Sequence, residues 1–244
     1  MNKQWKYIFS DGDFGRYNST GNRLELFCNG DAAFKALWKD IASAEKRVWV
    51  EIYILEADYV GKRTVYLLTE AANRGCDVIL IYDRFGSSNL PEGFTKPLKE
   101  AGGRVVAFNP FSPWRKLGHQ AGSILHRDHR KILIVDDDIG FCGGVNLSEK
   151  YAGKELGTDF YYDTLLRVKG PTTRNLASVF LSSLRETANM ERSLPLQDKQ
   201  NPDGLRVQVL GLNERKDKQV LNTAIKRCLS EKKKKCYFTT PYFV

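Results

Sequence analysis

His129, Lys131 and Asn146 are the residues of this chain whose types and spacing could do chemistry. His129-Arg130-Lys131 opens a His-x-Lys-x-x-x-x-Asp pattern that closes at Asp136, and Gly143-Gly144-Val145-Asn146 follows it. A neutral imidazole can attack phosphorus, an ammonium can neutralise phosphate charge, and a carboxamide can donate to a phosphate oxygen. The chemistry suggested is therefore attack at a phosphate ester. The residues between Lys131 and Asp136 are Ile, Leu, Ile and Val, which predicts a buried strand. Asp137-Asp138 supply a turn, and Ile139 to Cys142 start a second strand that runs into the glycine pair. Such a hairpin places His129, Lys131 and Asn146 around one concave spot.

The elements that must hold this hairpin alternate along the chain. Arg23 to Phe27 has the pattern of a strand, and Asn29-Gly30-Asp31 reads as a turn and helix cap. Phe34, Leu37, Trp38 and Ile41 recur at helical spacing. Val48 to Leu55 is the next strand, followed by a helix from Thr64 to Arg74 that Gly75 closes. Val78 to Tyr82 and Arg104 to Phe108 are strands, with a short helix ending at Leu98 to Ala101 between them. After the motif, Asp163 to Val168 reads as a strand, with Tyr161 and Tyr162 packing beside it, and Thr172 to Glu186 as a helix. The order predicts an α/β sandwich whose β-sheet is mixed or mostly parallel and flanked by helices.

Four segments are expected: an N-terminal extension (1–22), a first lobe (23–192), a polar linker (193–204) containing Pro195 and Pro202, and the beginning of a second lobe (205–244). Leu205 to Leu210, Lys216 to Leu229 and Cys236 to Tyr242 repeat the strand, helix, strand order of Leu24 to Tyr53. That faint repeat implies internal duplication, with the second, pseudo-repeated lobe barely begun.

Bulk properties narrow the classes. No apolar stretch approaches the length of a membrane span, and the N-terminus lacks the apolar core of a secretory signal. The five cysteines, Cys28, Cys76, Cys142, Cys228 and Cys236, are odd in number and scattered. They read as reduced thiols in a cytosolic or organelle interior. No Cys/His cluster has metal-ligand spacing. A net charge of +9 suits an anionic partner without choosing among nucleic acid, anionic lipid and phosphate substrates. Part of it lies in Lys232 to Lys235, which also reads as a solvated helix end or loop. Phe111, Trp114, Arg115 and Lys116 put aromatic rings beside cations just before the motif. They suit a loop that contacts a membrane surface, or an ordinary loop covering the sheet end.

The motif and its spacing resemble the HKD signature of the phospholipase D superfamily. The flanks His126-Arg127-Asp128-His129-Arg130-Lys131-Ile132, Gly143 to Ser148, Leu80 to Ser87, Asp163-Thr164 and Pro241 to Val244 resemble its bacterial-type cardiolipin synthase branch. The resemblance runs from about Leu24 to the last residue. It implies a phospholipase D-like sandwich and a two-step phosphotransfer through a phosphohistidine intermediate. His129 would be the nucleophile, Lys131 and Asn146 would hold the non-bridging oxygens, and Asp163 would orient the imidazole. Asp136 completes the catalytic motif, with an anchoring role expected at the far end of the strand. Gly143 and Gly144 would let the backbone turn tightly near the phosphate. Glu51 is either near the pocket or a satisfied polar group of the core. Asp83, at a strand end, faces a ligand or caps a turn. His119 and His126 are expected to be loop or helper residues. No metal or cofactor is implied.

The family builds its site from two such motifs, one His attacking and the other protonating the leaving oxygen. This chain has three His in all, and none follows His129. The expectation is a fragment whose second half, with the second motif, lies beyond Val244; a homodimer and an inactive relative are the other two readings. The function implied is a phosphatidyltransferase of the cardiolipin synthase type, acting on a phosphatidylglycerol-like phospholipid and releasing glycerol. Phospholipase D hydrolysis, nuclease action on nucleic acid, and an inactive lipid- or phosphate-binding half are the alternatives. Peripheral attachment to an anionic membrane, from the cytoplasmic or organelle-interior side, accompanies the lipid reading.

Overall fold

The computed structural model of the protein describes residues 18–108, 128–192 and 203–210, and single residues between 223 and 230. The chain divides into two compact units, Ser19–Arg206 and a second comprising Met1–Asn18 with Val207–Val244. Most of the expected linker, 193–202, and the expected strand Cys236 to Tyr242 lie outside the described residues.

The strands are β1 (Asn18–Phe27), β2 (Arg47–Ile52), β3 (Asp77–Asp83), β4 (Arg104–Phe108), β5 (Ile132–Val135), β6 (Ile139–Gly143), β7 (Leu165–Lys169) and β8 (Leu205–Gln208). The helices are α1 (Gly30–Ala42), α2 (Tyr59–Asn73), α3 (Lys96–Glu100) and α4 (Thr172–Ala188). One mixed sheet runs in the order β4-β3-β2-β5-β6-β7-β1-β8. Asn29 caps α1 through its side chain, which accepts from Ala32 N at 3.0 Å. Asp58 does the same for α2 at Gly61 N, 3.0 Å away. That cap starts α2 at Tyr59 rather than at Thr64. Gly75 ends the segment with φ +92°, a conformation that glycine adopts without penalty.

The weighting towards parallel strands is corrected. The pairs β2–β3 and β3–β4 are parallel, and α2 and α3 provide their crossovers. The pairs β2–β5, β5–β6, β6–β7 and β1–β7 are antiparallel. The tight turn at Asp136–Asp138 returns the chain immediately, so β5 and β6 can pair only as a hairpin.

Side chains alternate across the sheet. Val48, Val50, Ile52, Leu80, Leu133 and Val135 point into one core with Phe34, Leu37, Ile41 and Leu68. Trp49 points the other way and stacks on Phe180 of α4, with ring centroids 5.3 Å apart. Helices therefore cover both faces. Each fully buried side chain of this size contributes about 1.5–3 kcal/mol of burial free energy. The β2–β5 seam at the centre is thereby a stiff platform, and the motif stands at its edge. Among the described residues no helix is long and apolar enough to cross a membrane.

Candidate active site

The segment Asp128-His129-Arg130-Lys131 leads directly into β5, and its side chains divide between two sides. Arg130 reaches Glu51 and the Ser183 hydroxyl of α4. Lys131 instead lines a small apolar cavity with Phe34, Leu37 and Leu133. His129 and Lys131 lie together: Lys131 Nζ donates to the His129 carbonyl at 2.8 Å and stands 3.4 Å from His129 Nδ1. Tyr53, just beyond β2, backs both, with its ring 4.6 Å from the imidazole and 5.4 Å from the ammonium.

Electrostatics follow from this packing. Lys131 is buried, and desolvation lowers its pKa to about 8 against the opposing pull of Asp128 and Asp163. Partial desolvation, and next the Lys131 ammonium, hold the His129 imidazole below its ordinary range, while Asp128, Asp83 and Asp163 oppose. The imidazole keeps an exposed surface. A neutral ring open to solvent beside a cation can act as a nucleophile towards a phosphate ester.

Asn146 is buried, and its Oδ1 accepts from Ile54 N at 3.0 Å. That bond fixes the carboxamide and leaves Nδ2 as its donor. Asp163 precedes β7, which begins at Leu165 rather than at Asp163, and its Oδ1 accepts from Thr164 N at 2.7 Å. The structure has no Asp163–His129 hydrogen bond; the carboxylate acts on His129 and Lys131 through charge. Gly143 and Gly144 are needed for space rather than for a special turn, since neither has positive φ. A Cβ on Gly143 would collide with the Thr164 carbonyl, and one on Gly144 with the Asp163 carboxylate.

Three of the acidic candidates stand apart from that surface. Asp136 lies at the far end of β5, about 16 Å of extended chain from Lys131. Its Oδ1 accepts from Glu45 N at 3.1 Å, Lys46 N at 2.7 Å and Arg47 N at 3.1 Å. It anchors the turn between α1 and β2, away from His129 and Lys131. Asp83 is fully buried and accepts from Phe85 N, Gly86 N and Asp128 N at 2.8, 2.9 and 3.3 Å. It is a turn cap that also ties down the start of the motif. Glu51 is 0% exposed and is met by Arg130 at 3.2 Å.

Phe111, Trp114, Arg115, Lys116, His119 and His126 lie outside the described residues. Tyr161 and Tyr162 do not pack in the sheet. Tyr162 is 90% exposed and Phe160 69% exposed, because β7 starts only after them. Sequence reasoning passed over Tyr53, Asp128, Arg130 and Ser183. Of these, only Asp128 and Arg130 carried a signal, as charged residues alternating with His129 and Lys131. Among the described residues no group of His, Cys, Asp and Glu is placed to hold a metal ion.

A family model described as "Cardiolipin synthase, PLD-like domain" matches residues 37–182. Cardiolipin synthase A of Pseudomonas fluorescens is 31% identical over 223 residues, covering 91% of this chain and 46% of that protein. Cardiolipin synthase 1 of Bacillus cereus is 30% identical over 232 residues, covering 90% and 44%. The chain thus spans about half the length of these curated relatives. Among solved structures, phosphatidylserine synthase of Haemophilus influenzae superposes with a TM-score of 0.57 at 15% identity, over 93% of this chain and 57% of that one. NucT from Helicobacter pylori gives 0.53 at 21%, over 68% and 98%. At these identities the structural likeness establishes the fold.

Proposed function

The chain belongs to the phospholipase D-like family of the cardiolipin synthases, and on that footing we propose that it carries the nucleophilic half of a phosphatidyltransferase. His129 attacks the phosphorus of a phosphatidylglycerol-like lipid, and the bond to the glycerol oxygen breaks. The phosphatidyl group then rests on the imidazole until a second lipid's hydroxyl displaces it. Lys131 and the Asn146 amide hold the non-bridging oxygens, where negative charge concentrates in the transition state. Asp163 keeps Lys131 protonated and offsets the ammonium at His129. A proton for the leaving oxygen comes from a second His-x-Lys motif, on another lobe or a second copy of the chain. This part of the protein works at the surface of an anionic membrane.

One observation carries this reading: an imidazole biased towards neutrality stands 3.4 Å from an ammonium at an exposed edge. The test is incubation with vesicles of phosphatidylglycerol labelled at phosphorus. With a second motif supplied, the expected result is protein-bound label that is acid-labile and base-stable, together with labelled cardiolipin, both absent from His129→Asn. Cardiolipin formation that survives in His129→Asn would remove this residue from the reaction. Label taken from a nucleotide diester but not from lipid would move the substrate to nucleic acid.

A further inference from the structure

Glu51 and Asp128 form an unusual pair behind the motif. Glu51 is 0% exposed and Asp128 4% exposed. Among the described residues one cation serves both: Arg130 Nη1 lies 3.2 Å from Glu51 Oε1 and 3.9 Å from Asp128 Oδ1. The outer oxygens, Glu51 Oε2 and Asp128 Oδ2, are buried and meet no hydrogen-bond donor among the described residues. Two ionised carboxylates here would put like charges together in a dry interior, each with an acceptor that no described donor satisfies. A single proton removes both difficulties. The hydroxyl it creates on one carboxyl donates to the bare oxygen of the other, as in other paired acids.

We propose that a proton held on Glu51 bonds it to Asp128, and that the pair, with Arg130 against it, is a positioning latch behind His129. The pair and the groups facing it come from four segments. Glu51 is on β2, paired with Ile132 of β5. Asp128 and Arg130 precede β5, and Asp128 Oδ1 accepts from Arg130 N at 3.1 Å. Ser183 of α4 receives the Arg130 guanidinium. Asp83 holds the Asp128 amide from the end of β3. Burial, and next the charge of Asp128, push the Glu51 carboxyl well above the usual range, while Arg130 and Ser183 pull it back. The latch does two things. It fixes the chain on either side of His129, and it sets a single negative charge behind the site. The Asp128 charge favours the protonated forms of both Lys131 and His129. A second full charge would drive His129 towards the imidazolium, which cannot attack.

Glu51→Gln separates the alternatives without any substrate. The Gln amide donates to Asp128 as the proton on Glu51 does, and the net charge of the latch stays the same. Two signals are followed in the full chain by nuclear magnetic resonance. One is the carboxyl carbon of each Glu; the other is the titration of the His129 ring, identified by its absence in His129→Asn. The expected result near neutral pH is one protonated Glu carboxyl, lost in Glu51→Gln, with an unchanged His129 midpoint in that variant. Fully ionised Glu carboxyls in the wild type would overturn the proposal. So would a His129 midpoint that falls in Glu51→Gln, because that change would have removed a charge. Should Glu51→Gln fail to fold, the wild-type carboxyl spectrum decides alone.

Discussion

Asp163 fills the space that any side chain at position 144 would need. A Cβ on Gly144 would land within its carboxylate, whereas one on Gly143 would meet the backbone carbonyl of Thr164. The two adjacent glycines thus protect different things, a movable carboxylate and an immovable strand edge.

Gly144→Ala is expected to cost under about 1 kcal/mol of stability, because a carboxylate end can swing aside. With Asp163 displaced, its support for the protonated forms of His129 and Lys131 weakens, and both titration midpoints fall. Gly143→Ala, against backbone, should cost about 1–3 kcal/mol. Urea unfolding together with the His129 titration checks both; an unmoved midpoint in Gly144→Ala would mean that Asp163 does not act on His129.

Asp136→Ala should destabilise the protein by about 1–3 kcal/mol by stranding backbone donors that one oxygen now satisfies. Asp136→Asn should lose much less. Its Oδ1 can take the same three bonds, and Asn tolerates the φ of +52° found here. Equal unfolding midpoints for Asp136→Ala and the wild type would refute the anchoring role.

Anion binding should weaken as pH rises through about 8, where the buried Lys131 loses its proton. Sulfate is a suitable probe, because its own charge is constant there. The effect on stability runs the opposite way. The folded pKa lies below the unfolded value, so the unfolded chain binds more protons between about 8 and 10.5. Stability therefore gains from Lys131 as pH rises across that window. In Lys131→Met both trends should vanish, and a sulfate profile that persists there would point to another cation.

Arg167 grips Asp40 with two bonds, Nε to Oδ2 at 2.6 Å and Nη2 to Oδ1 at 3.1 Å, which ties β7 to α1. Arg167→Lys keeps the charge but loses the fork. A loss of about 1–2 kcal/mol is expected in thermal unfolding, with the His129 titration unchanged. A shifted midpoint would show that β7 transmits strain to the site.

The hairpin and most elements were legible because each rests on local chemistry. An apolar run followed by Asp-Asp gives β5 and its turn, and Asn29 caps α1 by contacts within one turn. The start of α2 was missed because its cap, Asp58, sits in an unremarkable polar stretch. Strand direction was hidden for another reason: an apolar run reads the same whichever way its neighbour points. The Glu51–Arg130–Ser183 cluster was illegible because register and α4 packing assemble it from distant segments. The glycine pair was visible, but its purpose was not, since only the fold brings Asp163 and Thr164 against it.

The spacing of the motif acts as a ruler. One residue separates His129 from Lys131 because the pleat returns to the same side every second residue. Four residues separate Lys131 from Asp136 because β5 must reach from the reactive edge to the corner at Glu45–Arg47. Inserting or deleting a single residue in β5 would strain both ends together. It would turn the imidazole and ammonium under α4, or pull the Asp136 anchor off its amides. Substitutions can therefore accumulate among Ile132 to Val135 as long as they stay apolar, while the length of that stretch is held fixed by the geometry at its two ends.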